Sequence, residues 1–343
     1  MRVLTILDAS AIVHTGEASN RVTGSGASGF VCNGLLRLNR QIAIGIKQGD
    51  IVIAFDSPSF RNDLMPDYKS GRCMNASVVS QLVFAYEHLN DAGFNCAKYD
   101  GYEADDIVDW ASKLRPNYDI VTIVGNDYDL CHSIDDSISF QACNSLVNDV
   151  HSYDFCQALN QYVGLKYNTL SAYKVFNGCN SDKISKYKTL AGVSGAELYR
   201  DFNKFVETTN DGAYDNVPVM QKPELLQLFM LQSDKIKDED YPELLRRIQL
   251  VYPAAKPDDI VIKPVGLMDT RRMPFIKYLT LLNDTYALQY LGLERADLTD
   301  TDYKQMRDLR RSVTSGAFAA DMNIPADASV GEALELDVFS RDF

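Results

Sequence analysis

Val3-Leu4-Thr5-Ile6-Leu7-Asp8 is a run of apolar and β-branched residues closed by a carboxylate, and related arrangements recur along the chain. Ile51-Val52-Ile53-Ala54-Phe55 ends at Asp56, and Ile120-Val121-Thr122-Ile123-Val124-Gly125 is followed by Asp127 and Asp129. Asn95-Cys96-Ala97-Lys98-Tyr99 and a Gly101 turn precede Glu103, Asp105 and Asp106. Short apolar runs separated by helical stretches read as strands of a parallel sheet covered on both faces. In such a sheet all strand carboxyl ends lie on one edge, where open α/β folds place their sites. Asp8, Asp56, Glu103, Asp105, Asp106, Asp127 and Asp129 would then meet in one cleft.

A lone Asp after a strand is commonly a turn former or a helix N-cap. Asp105 and Asp106 also suit the first turn of a helix, where they complement its dipole. Recurrence at successive strand ends favours the shared cleft. Carboxylates a few Å apart raise one another's pKa and repel at neutral pH unless cations sit among them. A pair of divalent ions with a preference for oxygen is the economical remedy, and two-metal carboxylate sites belong to phosphodiester chemistry.

The 343 residues allow one large or two modest domains, and 46% hydrophobic content is ample for a core. No apolar run approaches the length of about 18 residues needed to span a membrane, and the N-terminus enters a strand without a signal-like region. The seven cysteines, Cys32, Cys73, Cys96, Cys131, Cys143, Cys156 and Cys179, form no CxxC or zinc pattern and fit a reducing cytoplasm. A net charge of −13 argues against a nucleic-acid partner at first sight. Bound divalent ions would lessen it, and basic residues are bunched at Arg61, Lys69 and Arg72; Lys183, Lys186 and Lys188; Arg246 and Arg247; Arg271, Arg272 and Lys277; and Arg307, Arg310 and Arg311. Such patches can still hold a phosphate backbone, weakly and with steep salt dependence.

Residues 1–150 alternate strand-like and helix-like patterns, with Phe30 to Ile46 and Val78 to Leu89 read as helices. Ser137 to Gln141 reads as the strand that closes this part. The segment from Ser57 to Asn75 has no clean period and reads as a functional loop or a disordered one. The Gly24–Gly29 loop lacks the Gly-Lys-Ser/Thr of a phosphate cradle. From about residue 152 the pattern is mostly helical, including Tyr241 to Val251. Pro253, Pro257 and Pro264 mark a plausible linker around one strand-like run, Ile260-Val261-Ile262, and Met268 to Val313 reads as two or three helices. Beyond about 320 the chain is an acidic, Ala-rich tail.

Four motifs together resemble the 5′-nuclease superfamily, comprising flap endonucleases and the 5′→3′ exonuclease domain of DNA polymerase I, and in particular its free-standing bacteriophage type. They are Leu7-Asp8; Ala54-Phe55-Asp56 with Ser59-Phe60-Arg61 and Asp67-Tyr68-Lys69-Ser70-Gly71-Arg72; Gly101-Tyr102-Glu103-Ala104-Asp105-Asp106; and Gly125-Asn126-Asp127-Tyr128-Asp129-Leu130. A weaker fifth, Gly178-Cys179-Asn180-Ser181-Asp182, stands where the family has Gly-Asp…Ser-Asp before a helix–three-turn–helix. Cys179 replaces the first Asp, and a thiol is a poor Mg²⁺ ligand. After the turn Gly192-Val193-Ser194-Gly195, Ala196 and Glu197 stand where a basic residue is usual, and Lys183, Lys186 and Lys188 are candidate substitutes.

The resemblance implies an α/β fold: a PIN-like or resolvase-like, parallel-rich sheet flanked by helices, then a helical helix–three-turn–helix subdomain and a C-terminal helical extension. It divides the chain into a nuclease core (1–150, with an arch at 57–75), a helical DNA-binding subdomain (151–255), a helical extension (256–320) and an acidic tail (321–343). Two Mg²⁺ or Mn²⁺ ions are implied, one held by Asp8, Asp56, Glu103 and Asp105, the other held or oriented by Asp106, Asp127, Asp129 and Asp182. Lys69 and Arg72 are the implied catalytic cations. Arg61, Tyr68, Lys69, Arg72, Lys183, Lys186, Lys188, Gly192 and Gly195 would contact DNA, with a K⁺ ion possible at the helix–three-turn–helix. His14, His88, His132 and His151 match no motif and read as structural.

The implied activity is metal-dependent 5′→3′ exonuclease or flap endonuclease action in replication or recombination, by a cytoplasmic monomer of a bacterium or phage-infected cell. Its substrates would be DNA with free 5′ ends, flaps or nicks. RNA–DNA hybrids are a further possible substrate, and the tail a possible contact to replication proteins. At this length no polymerase domain is expected to follow. Two alternatives remain at this point: a ribonuclease of the same fold that removes RNA primers, and a DNA-binding accessory protein with an impaired metal site.

Overall fold

The computed structural model describes residues 1–23, 32–71, 75–94, 96–134, 138–143, 149–150, 169–209, 223–266 and 273–315. Its centre is a six-stranded sheet in which β1 (Val3–Asp8) lies between β2 (Asp50–Ala54) and β4 (Ile120–Gly125). Outside them stand β3 (Cys96–Ala97) next to β2, and β5 (Ile138–Ala142) next to β4. These five strands run parallel, and only β6 (Asp149–Val150), against β5, is antiparallel. All six residues of β1 are buried, which is why it carries apolar side chains on both faces rather than alternating. The register pairs Leu7 with both Ile53 and Val124, so Asp8, Asp56 and Asp127 emerge along one edge.

One face of the sheet packs on α1 (Ala9–Thr23), α2 (Asn33–Gln48) and α4 (Ala76–Asp91). The same apolar layer takes in Phe275, Tyr278 and Leu279 of α10 (Met273–Leu281), Ala287 and Leu288 of α11 (Thr285–Leu291), and Met306 and Leu309 of α12 (Asp300–Ser315). The C-terminal helices thus share a core with the sheet. The other face holds α5 (Ala104–Ser112), with Ile107, Val108 and Trp110 on Leu4, Ile6, Val121 and Ile123.

Residues 253–265, read from their prolines as a linker, are instead a strap across this second layer. Trp110 Nε1–H donates to Ala254 O at 2.7 Å, the Ala254 N–H donates to Asp106 Oδ1 at 2.7 Å, and Ile262 packs into the apolar layer. Ile260–Ile262 forms no strand. Val265 makes the single bridge instead, exchanging 2.9 Å hydrogen bonds with Ile51, which β3 does not reach. Proline cannot donate to a ladder, so the strap docks by side chains and isolated bonds.

A third apolar cluster belongs to the helical part, where α6 (Leu170–Asn177), α7 (Gly195–Thr209), α8 (Pro223–Gln232) and α9 (Tyr241–Val251) gather Phe176, Phe202 and Phe229. Between α6 and α7 the chain makes a knot of turns. Cys179 and Ile184 exchange two backbone hydrogen bonds, and Lys188 bridges Ser194. A Cβ on Gly195 would stand 2.0 Å from Phe176 O, so only glycine lets α7 start there. Gly178 is equally constrained, with φ +79 and Ile184 O at 2.4 Å from where its Cβ would lie.

Arg61 of α3 (Arg61–Leu64) joins the helical part to the sheet layer. Its guanidinium forks onto Asp106 (2.8 and 2.9 Å) and reaches Glu103 at 3.0 Å. It also donates to the carbonyls of Leu250 (3.1 Å) and Tyr252 (3.0 Å), where α9 ends. Both partners are buried, so removing one strands a charge out of water. Arg61→Met is therefore expected to destabilise folding by about 3–5 kcal/mol, read from urea denaturation. Arg61→Lys should recover only part of that, because one ammonium cannot reproduce the fork. A loss under about 1 kcal/mol for Arg61→Met would refute the clamp.

A candidate active site at the carboxyl edge of the sheet

Each acidic side chain at the edge is anchored by local chemistry. Asp8 Oδ1 accepts the Ala11 N–H (2.9 Å) at the start of α1, and Asp56 Oδ1 accepts the Ala104 N–H (2.8 Å) at the start of α5. Asp127 Oδ1 accepts the Asp129 N–H at 2.9 Å. Glu103 and Asp106 form a capping box at the head of α5. Segment 57–71 lies across this edge, tied by the Phe60 N–H to Gly101 O at 2.9 Å and by the Tyr68 hydroxyl to Glu103 Oε2 at 3.1 Å. Lys69 follows with φ +52, a left-handed backbone that a side chain makes costly and that clusters at functional sites. Its Nζ donates to Glu103 Oε1 at 2.5 Å, and its N–H reaches Asp182 O at 3.3 Å. Lys69, Glu103, Asp105, Asp129, Lys174 and Asp182 line one crevice.

The acidic edge is electrostatically divided. Burial, then Asp56 and Asp127, pushes the Asp8 carboxyl up to about 8, against the backbone bond from Ala11. Burial and then Asp127 drive Asp105 well above the usual carboxylate range, and Asp8 and Glu103 add to this while Lys69 opposes it. Asp127 is raised by burial and then by Asp129. Burial would raise Asp129 as well, but Lys174, 2.5 Å from both of its oxygens, overrides this and holds it low. Asp106 is likewise held low against burial by Arg61. Among the described residues no three acidic, thiol or imidazole groups are already gathered tightly enough to hold an ion. The uncompensated group, Asp8, Asp105 and Asp127 with Asp56 beside them, is hard oxygen in need of positive charge, which suits Mg²⁺ or Mn²⁺.

Asp8, Asp56, Glu103, Asp105, Asp127, Asp129, Asp182 and Lys69 therefore come together, and several other expectations are corrected. Asp106, expected at a metal, points inward, its two oxygens taken up by Arg61 and the Ala254 N–H. Arg61 and Tyr68, expected at DNA, are buried against the protein's own acids and carbonyls, so neither is placed to meet a phosphate or stack on a base. Arg72 lies outside the described residues, as do the Gly24–Gly29 loop and the tail. Gly192 and Gly195 serve the turn geometry, while Lys183, Lys186 and Lys188 stand exposed on the turns. Arg247 is buried, donating to Val175 O at 3.1 Å and Ser185 O at 2.7 Å. Lys174 was not anticipated. Its signal in the sequence is that it is the single charge of Leu170–Asn177, whose neighbours Ala172, Val175 and Phe176 are buried.

Residues 3–162 match the family described as "5′-3′ exonuclease, N-terminal resolvase-like domain". A 5′-3′ exonuclease of Mycoplasma pneumoniae is 28% identical over 217 residues, which are 61% of this chain and 72% of that protein. A DNA polymerase I of Borreliella burgdorferi is 27% identical over 180 residues, half of this chain but only 18% of the polymerase. Among solved structures, the T5 5′-exonuclease with bound zinc ions aligns at a TM-score of 0.48 and 15% identity, covering 91% of this chain and all of that one.

Repulsion at the edge has a measurable consequence. A carboxyl raised from its ordinary 3.8 to about 8 favours the folded state below 3.8, and that contribution is lost as pH rises through about 8. Asp106 and Asp129, held low, stay ionised throughout the range above pH 5 and add no slope. In chelator, the melting temperature is expected to fall by about 3–8 °C between pH 5.5 and 8.5. Asp8→Asn should flatten that fall, and Mg²⁺ should abolish it in the wild type. A wild-type profile that is flat or rising in chelator would rule the account out.

Proposed function

We propose that this chain, which carries the 5′-3′ exonuclease resolvase-like domain over residues 3–162, is a metal-dependent 5′-nuclease. It hydrolyses phosphodiester bonds in DNA with free 5′ ends, flaps or nicks. The observation that carries the reading is the convergence of Asp8, Asp105 and Asp127, raised by burial and mutual repulsion, beneath a segment that presents Lys69. Asp8, Asp56, Glu103 and Asp105 would hold a Mg²⁺ or Mn²⁺ ion, and such an ion supplies an ionised water and charge for the developing oxyanion.

The chain's own residues do the rest. Lys69, drawn toward the acids by Glu103, offers its ammonium to the scissile phosphate. Arg72, next in the motif, is assigned the same task. Lys183, Lys186 and Lys188 hold the duplex backbone beside the crevice. A K⁺ ion at these turns, a cytoplasmic setting, a monomeric state and a replication partner on the tail complete the reading. The domain scheme follows it, with 1–150 as catalytic core, 151–255 as DNA grip and 256–320 as the helical brace of the core.

The test is cleavage of 5′-flap, nicked, blunt and RNA–DNA substrates, labelled at each end, across a Mg²⁺ and Mn²⁺ titration. Release of short 5′ products is the expected result, and a preference for the hybrid would make primer RNA the substrate. Lys69→Ala should lower the rate by about 10²-fold while changing flap affinity far less. Absence of metal-dependent cleavage of every substrate would reduce the protein to an accessory binder. Products released from the 3′ end would overturn the proposal.

A further inference from the structure

We infer that the Lys174 ammonium occupies the place of a second metal ion, so that the site takes one divalent ion per chain rather than two. The inference rests on the nuclease reading above and specifies its cofactor stoichiometry.

The geometry on the far side of the crevice is that of an occupied cation position. Lys174 Nζ stands 2.5 Å from both oxygens of Asp129 and 3.8 Å from Asp182 Oδ2. Its side chain is 16% exposed, so the charge is withdrawn from solvent and committed to these acids. The helix that delivers it cannot easily release it. Lys174 O accepts the Gly178 N–H at 2.9 Å, and the neighbouring Val175 and Phe176 are fixed in the apolar cluster of the helical part.

The oxygens that a second ion would need are already engaged. Asp129 has both oxygens on Lys174, and Asp106 has both facing Arg61. Cys179, in the motif position of an acid, offers sulfur, and its Sγ lies 3.0 Å from Ser181 Oγ. Mg²⁺ demands near-octahedral oxygen and rejects a thiol. Asp127 and Asp182 alone would give it two protein ligands at a spot where an ammonium already supplies positive charge. A lysine there is a permanent point charge with three donors. It can steady a phosphate oxygen, but it cannot polarise a water as a metal does, so water activation falls to the single ion beside Asp8 and Asp105.

Mn²⁺ binding to the full-length protein, followed by loss of the free-ion electron paramagnetic resonance signal and by calorimetry with Mg²⁺, tests this directly. The wild type is expected to bind one ion, Lys174→Arg one, and Lys174→Ala combined with Cys179→Asp two, with circular dichroism confirming that each variant is folded. A merely structural lysine would leave the count unchanged while lowering the melting temperature. Two ions on the wild type overturn the inference and leave the nuclease reading intact, whereas no ion at all overturns both. If the double variant folds and still binds one ion, the inference also fails. If it does not fold, the wild-type count decides alone.

Discussion

The structure depends on one electrostatic constraint: carboxylates delivered to the same sheet edge must be matched by positive charge from elsewhere in the chain. Three buried or half-buried cations provide most of it in the protein itself, and each comes from a different segment. Arg61 enters from the short helix after β2, Lys69 from the segment that crosses the edge, and Lys174 from α6, the first described helix of the helical part. Neutralising the acids therefore also fastens these segments to the sheet. Removing either partner of such a pair leaves a buried charge alone, which is costly, whereas an ion pair kept whole is close to neutral. Together these pairs hold the crossing segment and the helical part on the sheet, while at Asp8, Asp105 and Asp127 repulsion is left standing.

At Asp8, Asp56 and Asp127 the anchoring bond and the proposed metal-holding role fall on the same side chain. Asp8 and Asp127 each spend one oxygen on a backbone N–H two or three residues downstream, as ordinary turn or cap residues do, and Asp56 spends one on the N–H of Ala104 at the start of α5. That bond fixes the carboxyl's orientation. A group so held has lost its rotamer freedom before any ligand arrives, so less entropy remains to be lost on binding. The local reading of a strand-end Asp and the catalytic one are therefore not competitors.

Much of this was legible. Apolar runs ending in acids gave the parallel sheet and its edge, and Tyr241–Val251 falls where its periodicity put it. What stayed hidden was direction. Asp105 and Asp106 are neighbours, and successive helical residues point about 100° apart, so one faces the crevice and the other the core. The spacing Glu103-x-x-Asp106, a capping-box signature, was the available hint that Asp106 belongs to the helix start. Lys174 and Arg61 were harder. A buried lysine or arginine is recognised only once its acids are in place, and here they come from about 45 residues away in sequence for both Asp129 and Asp106. The strap at 253–265 was misread because prolines mark extended chain equally well in a free linker and in a docked one.

The same division of cations bears on how a chain with a net charge of −13 would hold a phosphate backbone under the proposed function. Arg246 and Arg247 pair with Glu243, and Arg61 and Lys174 are committed inside, so sequence clusters of basic residues overstate the positive surface. Lys183, Lys186 and Lys188 are exposed, and they follow Asp182 along the turns between α6 and α7. One short turn thus sends an acid into the crevice and, at the next residue, a base into solvent. Lys183 does this with a left-handed backbone at φ +62, a conformation that reverses the chain's course between the two. A phosphate held by these lysines would stand beside the acids. The acidic bulk of the protein would repel such a backbone elsewhere, so that weak binding would be directional.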